Sequence, residues 1–193
     1  MDMNRIDTRS RILAEAETLT RTRGFLGFSY ADLSERIGIQ KASVHHHFAN
    51  KEELGLALIA LYRERCLERM LEIMLQSPSA EGRLHFYGGL YTEGLKKGLA
   101  CLCGMLASES VVLPVAMRDG VRLFFGEHRA WIAAVLLEGK QKNELRPELN
   151  PEEKSSELLA SLQGAMFMAR LTEQPELITQ ILAGALANLR VLQ

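Results

Sequence analysis

"FLGFSYADLSERIGIQKASVHHHFANKEEL", Phe25 to Leu54, decides how the rest of this chain is read. Ser29 is placed to cap a helix opening at Tyr30, with Asp32 three residues on in a variant of the capping box. Leu33 and Ile37 are four apart and share one apolar face. Gly38 supplies the permissive backbone of a sharp turn, and Ile39 plugs its angle. Val44 and Phe48, again four apart, return a second short helix onto the first. The outer face of that second helix is left with Lys41, Ala42, Ser43, His45, His46 and His47. Asn50 with Glu53 then caps a longer helix. Lys51 stands in its first turn, where side-chain charge, backbone N–H groups and helix dipole together describe a phosphate clamp. Two short helices about a tight turn, the second with a donor-rich outer face, form a helix-turn-helix. The N-terminal residues of its second helix would reach base edges in a major groove.

Helical periodicity continues outward from this stretch. Ile12, Ala16 and Leu19 precede it on one face, and Leu54, Leu58 and Leu61 follow it, continued by Leu67, Leu71 and Met74. Leu158, Leu162, Ala165 and Ala169 line one later face, and Ile178, Leu182, Ala185 and Leu189 another. Sustained β-branched alternation and hairpin-type turns are missing. Breaks fall at Gly24 and Gly27, at Gln76 to Gly82, at Leu113-Pro114 and at Arg146 to Glu153. In the last of these Asn150 is an N-cap and Pro151 stands at N1, while Pro175 opens the final helix. The expected fold is all-α, with about nine helices. A three-helix helix-turn-helix head, residues 1–50, is expected to precede a larger helical body, residues 51–193.

The 193 residues are 47% hydrophobic and 24% charged, ordinary for a soluble globular chain. No run of about 18 uncharged apolar residues suggests a membrane span. The polar start, "MDMNRIDTRSR", is unlike a secretory signal. Three cysteines, an odd number, argue against a disulfide framework and for a reducing cytoplasm. Net charge is −1, but the head through Lys51 has eight basic against six acidic residues. A mildly basic head on an acidic body permits nucleic-acid binding by the head.

The histidine run is a poor metal site, since three successive helical residues point about 100° apart. No Gly-rich phosphate loop, "GxSxG" or paired-carboxylate motif suggests an enzyme, and no cofactor is called for. Cys101 and Cys103, in "LACLCGMLASES" (Leu99 to Ser110), face nearly opposite ways on a helix. They are either small buried hydrophobes or a redox-active or electrophile-sensing thiol switch.

Phe25 to Leu54 resembles, without gaps, the DNA-binding segment of the TetR (tetracycline-repressor-like) transcriptional regulators. The family pattern is a glycine-phenylalanine pair, a Ser/Thr cap, "IA", "GVSKGSLYHHF" and "SKEEL". Gln40 stands where Ser or Thr is usual, and His45 where tyrosine is usual. The resemblance implies that Ser29, Tyr30 and Ser43 touch phosphates of a double-stranded DNA operator. It implies that Lys41, Ala42, His45 and His46 face base edges or nearby phosphates. His47 is left between DNA contact and packing inside the head, and Lys51 clamps phosphate.

A repressor head needs a switch in the body. Phe86, Tyr87, Tyr91, Met105, Met117, Phe124, Phe125, Trp131, Met166 and Phe167 are the candidate lining of a site for a small apolar or aromatic effector. Eight methionines suit a site that repacks. The last two helices, Pro151 to Leu171 and Pro175 to Leu192, have small and apolar residues on more than one face. The resemblance makes them a four-helix interface in a homodimer. Such a dimer sets its two recognition helices ~34–36 Å apart on a pseudo-palindrome. Two functional readings stand: a cytoplasmic, ligand- or thiol-responsive DNA-binding repressor, and a helical small-molecule-binding protein with no DNA function.

Overall fold

The computed structural model describes residues 3–190. Among them the chain forms nine helices and no strand: α1 (Met3–Arg23), α2 (Tyr30–Ile37), α3 (Lys41–His47), α4 (Lys51–Gln76), α5 (Ala80–Lys96), α6 (Leu102–Ser108), α7 (Val115–Gln141), α8 (Pro151–Thr172) and α9 (Glu176–Ala187). The signals that start and stop them are local. Ser29 and Asp32 complete a capping box at α2, and Gly38 ends that helix at φ 69°. Ser79 caps α5 through the Gly82 N–H. Asn150 caps α8 through the N–H groups of Glu152 and Glu153, with Pro151 in the first turn.

Two compact units result. The first holds residues up to Glu64 together with Leu102–Leu123, and the second holds Arg65–Cys101 and Phe124–Gln193. The first unit thus takes in residues 51–64 and 102–123 along with the head. In the first unit α2 packs on α1 and α3, and α6 packs on α1. Its core includes Ile12, Ala16, Leu19, Phe25, Phe28, Leu33, Val44, Phe48, Leu54 and Leu58. Gly55 is where α4 meets Phe25 and Met117. A Cβ there would lie 2.3 Å from Met117 Cε and 2.9 Å from the Phe25 ring. In the second unit α5, α8 and α9 pack on one another, closing over Leu84, Leu158, Leu162, Ile178 and Leu182.

The final helix is shorter than its periodicity suggests. α9 stops at Ala187, because the next residues are engaged elsewhere. Leu189 O accepts from Arg146 N–H at 3.0 Å. Arg190 forms an isolated bridge with Leu145 and a two-pronged ion pair with Glu81. Leu192, the expected end, lies outside the described residues.

Candidate DNA-binding face and buried polar cluster

α3 is oriented by what it buries. Val44 and Phe48 enter the head core, and the Phe48 N–H bonds back to Val44 O at 2.9 Å. Lys41, Ala42, His45 and His46 are left exposed, with Ser43 and His47 half-buried. The turn before α3 is held by Gly38 and Ile39 N–H groups on Glu35 O and Ser34 O. Arg11 fastens α1 to the end of α2 through Ile37 O at 2.6 Å. Gln40 makes no side-chain cap, so α3 begins without the bond a Ser or Thr would supply.

Ser29 is exposed, and its hydroxyl donates to Asp32 Oδ2 at 2.6 Å. Hydrogen bonds from the Ser29 hydroxyl and backbone N–H hold the Asp32 carboxyl below its ordinary range. Tyr30 departs from the expectation of a phosphate contact. Its ring is buried, and its hydroxyl donates to Asn50 O at 2.6 Å. Burial, with Glu53 nearby, pushes that phenol up to about 12.

Lys51 departs from it further. Its ammonium turns inward, donating to Phe25 O and Phe28 O. It lies 4.8 Å and 4.3 Å from the centroids of those two rings. The Glu109 carboxylate accepts from Phe25 and Leu26 N–H at 3.1 and 3.3 Å. Burial depresses the Lys51 ammonium, while Glu109 and Asp32 act to restore it. The first turn of α4 is also taken, with Glu53 N–H on Asn50 Oδ1 at 2.9 Å. Lys51 thus braces the α1–α2 turn.

His45 Nδ1 lies 3.3 Å from Ala49 O, and its ring meets the edge of Tyr30 at 4.8 Å between centroids. A carbonyl can only accept, so Nδ1 bears the hydrogen. The Nε2 of a neutral His45 then presents a lone pair on the exposed side of α3.

The expected effector-lining residues divide. In the first unit, Met117 packs against Gly55, and the methyl of Met105 lies beside Gly24. Phe86 is exposed on α5 and Phe167 on α8, so neither lines an interior. In the second unit Tyr87, Tyr91, Phe124 and Met166 are buried, and Phe125 and Trp131 half-buried. Tyr87 is their hub. It stacks on Trp131 at 5.3 Å, and its hydroxyl lies 3.5 Å from Tyr91 and 2.7 Å from His128 Nδ1.

Two members of this cluster were not anticipated. His128 is buried, its ring 4.0 Å from Phe124, and burial pushes it down to about 4. Gln163 donates through Nε2 to Tyr91 Oη at 3.0 Å and to Cys101 Sγ at 3.6 Å. Their spacing held the only available signal. His128 is four residues after Phe124 and three before Trp131, on the apolar side of α7. Cys101 lies just before α6, its N–H 3.0 Å from Met166 Sδ, and Cys103 is fully buried. All three cysteines are free thiols.

Comparison with known proteins agrees with this layout. A family model described as bacterial regulatory proteins, tetR family, matches residues 12–58. A second, the tetracyclin repressor-like C-terminal domain, matches residues 86–185. The HTH-type transcriptional repressor DhaR of Mycobacterium sp. (strain GP1) is 25% identical over 182 residues, 93% of this chain and 91% of its own. The repressor NemR of Escherichia coli (strain K12) is 27% identical over 92% of this chain and 91% of its own. A TetR-family transcriptional regulator from Agrobacterium tumefaciens superposes with a TM-score of 0.93 at 29% identity, over 97% of this chain and 100% of that one. The reduced form of E. coli NemR gives 0.83 at 25%, over 96% and 97%. With a model matched over more than half its length and a second on its head, this chain belongs to the TetR family of bacterial regulatory proteins.

Proposed function

We propose that this protein is a ligand-responsive, sequence-specific DNA-binding repressor that acts in the cytoplasm as a homodimer. The observation that carries this is α3. Its apolar side is locked into the head, and Lys41, Ala42, His45 and His46 are exposed on the side that would enter a major groove. Ser29 and Ser43 are flanking candidates for phosphate contacts. Both relatives described above are named as transcriptional repressors. No described helix is long and apolar enough to cross a membrane. The role is regulatory rather than enzymatic: binding an effector weakens DNA binding, and DNA weakens effector binding by the same factor.

The dimer reading is supported by α8 and α9. Ala160, Gly164, Phe167, Met168 and Leu171 form one exposed stripe along α8, with Leu171 86% exposed. Ala183, Gly184 and Ala187 form another on α9. A Cβ at Gly164 or Gly184 would meet nothing within 4 Å. Small residues with free space above them suit close helix approach across a two-fold axis. Gly164→Arg is expected to yield a folded monomer by light scattering and to weaken operator binding at least tenfold.

A gel shift on the DNA upstream of the gene tests the whole reading. A salt-sensitive, competitor-resistant shift is expected. A small-molecule carrier without DNA function would give none. A thiol trigger is a second reading, favoured at Cys101 because its Sγ touches Gln163 within the polar cluster. Cys103 has no comparable exposure. Loss of thiol-reagent sensitivity in Cys101→Ser, but not in Cys103→Ser, is the expected result.

A further inference from the structure

The second unit contains an unfinished hydrogen-bond network. Tyr87 and Tyr91 on α5, His128 and Trp131 on α7, and Gln163 on α8 are joined through the two phenol hydroxyls and the Tyr87–Trp131 stack. Three atoms of these residues are shielded from solvent and have no hydrogen-bond partner: His128 Nε2, Trp131 Nε1 and Gln163 Oε1. Buried polar atoms are almost always paired, because leaving one unpaired forfeits its hydration without return. Three on one connected cluster, drawn from two helices, leave hydrogen-bonding capacity that a bound molecule would complete.

The sense of each atom can be assigned. Tyr87 Oη is fully buried and closer to His128 Nδ1 (2.7 Å) than to Tyr91 (3.5 Å). A phenol is the better donor and a neutral imidazole nitrogen the better acceptor, so Tyr87 donates to Nδ1 and Nε2 bears the hydrogen. Trp131 Nε1 is only ever a donor. His128 and Trp131 are three residues apart and so share a face of α7. Gln163 spends Nε2 on Tyr91 and Cys101, which leaves Oε1 as an acceptor. The cluster thus offers two donors and one acceptor. Its own groups are two phenols, an indole, an amide, a thiol and an imidazole kept neutral by burial, with no counter-charge among them.

We propose that the effector is an uncharged, flat molecule of the hydroxyaryl carbonyl class, seated among Tyr87, Tyr91 and Trp131. Its carbonyl accepts from His128 Nε2–H and Trp131 Nε1–H, and its hydroxyl donates to Gln163 Oε1. This rests on the second unit being the effector-binding body of a repressor. It narrows the apolar or aromatic effector expected from the sequence to one with a matched donor and acceptor. A plain hydrocarbon would leave all three atoms unpaired, and a carboxylate would be buried without a cation.

Trp131 is the chain's single tryptophan, so intrinsic fluorescence reports on the site directly. Three probes of similar size are titrated at pH 7: methyl 4-hydroxybenzoate, the 4-hydroxybenzoate anion and 1-methyl-4-propylbenzene. The ester is expected to shift the emission and bind roughly tenfold or more tightly than either of the others. His128→Asn keeps an acceptor for Tyr87 and deletes the Nε2 donor, while Gln163→Leu deletes the acceptor. Each is expected to weaken the ester by roughly tenfold and leave the hydrocarbon unchanged. If circular dichroism shows that His128→Asn misfolds, the half-buried Gln163→Leu decides. Hydrocarbon or anion binding as tight as the ester, ester affinity untouched by Gln163→Leu, or no probe binding at all would each overturn the proposal. Operator release is read separately by gel shift. A chain that binds the ester but no DNA refutes the repressor reading and leaves the chemistry of the site standing.

Discussion

Lys51→Ala is expected to cost the head about 3 kcal/mol of stability and, with it, binding to every DNA sequence. The ammonium satisfies Phe25 O and Phe28 O, two carbonyls of the α1–α2 turn, and lies over both of their rings. On the other side of that turn Glu109 takes the Phe25 and Leu26 N–H groups. Lysine and glutamate therefore hold one turn from its acceptor and donor sides, and their opposite charges favour each other. Alanine leaves the carbonyls unpaired, with Glu109 lacking its cation. Lys51→Met keeps the aliphatic stem over the rings and should recover only the packing part of the loss. Hydrogen exchange over residues 24–30 is the direct measurement, with urea unfolding beside it. A phosphate clamp would behave otherwise: unchanged exchange, and a salt slope flattened by about one unit.

Lys51 also shows where sequence reasoning stops. A lysine in the first turn of a helix has the same local pattern whether it points outward to phosphate or inward to carbonyls. The carbonyls it reaches are 26 and 23 residues earlier, and no local spacing announces them. The Tyr30 hydroxyl is a like case, since its acceptor on Asn50 lies 20 residues on. The caps were legible because donor and acceptor sit within three residues of each other, at Ser29–Asp32 and at Asn150–Glu153. The outer face of α3 was legible because Val44 and Phe48 fix its rotation.

In the body, side-chain type alone singled out Tyr87, Tyr91, Phe124 and Trp131 as candidate lining. It could not show that Met117 fills the approach of α4 while Phe167 faces out, because that depends on which helix lies opposite. His128 and Gln163 are single polar residues on otherwise apolar faces. Their meaning appears only when α5, α7 and α8 bring them to the same pair of phenols.

His128 should also make the protein acid-labile well above the range where carboxylates titrate. Burial pushes its imidazole down to about 4, against about 6.5 in the unfolded chain. Above pH 6.5 neither state binds the proton, and the buried neutral ring costs nothing. Below it the unfolded chain takes up a proton that the folded one refuses, so stability falls as pH drops from about 6.5 towards about 4. The loss is about 2 kcal/mol at pH 5 and about 3 kcal/mol at pH 4. Asp32, Glu81, Glu138 and Glu148 all have lowered carboxyls, so their contributions disappear mainly at lower pH. The interval from pH 6.5 to 5 therefore lies above the range in which these four carboxyls act, and the comparison with a His128 variant separates its share. His128→Asn retains an acceptor for the Tyr87 hydroxyl but has no proton to take up. Chemical unfolding followed by circular dichroism at pH 7, 6 and 5 should show the wild type losing stability while the variant stays nearly level, so that the two converge. Parallel curves would mean that His128 is not held neutral in the fold. The same ring state decides the ligand chemistry: with Nδ1 accepting from Tyr87, Nε2–H is free to donate to a carbonyl. Protonating Nδ1 breaks the Tyr87 bond that orients the ring, but the folded ring stays neutral down to about pH 4, so acid should weaken effector binding only near and below that pH, after most of the loss in fold stability has occurred.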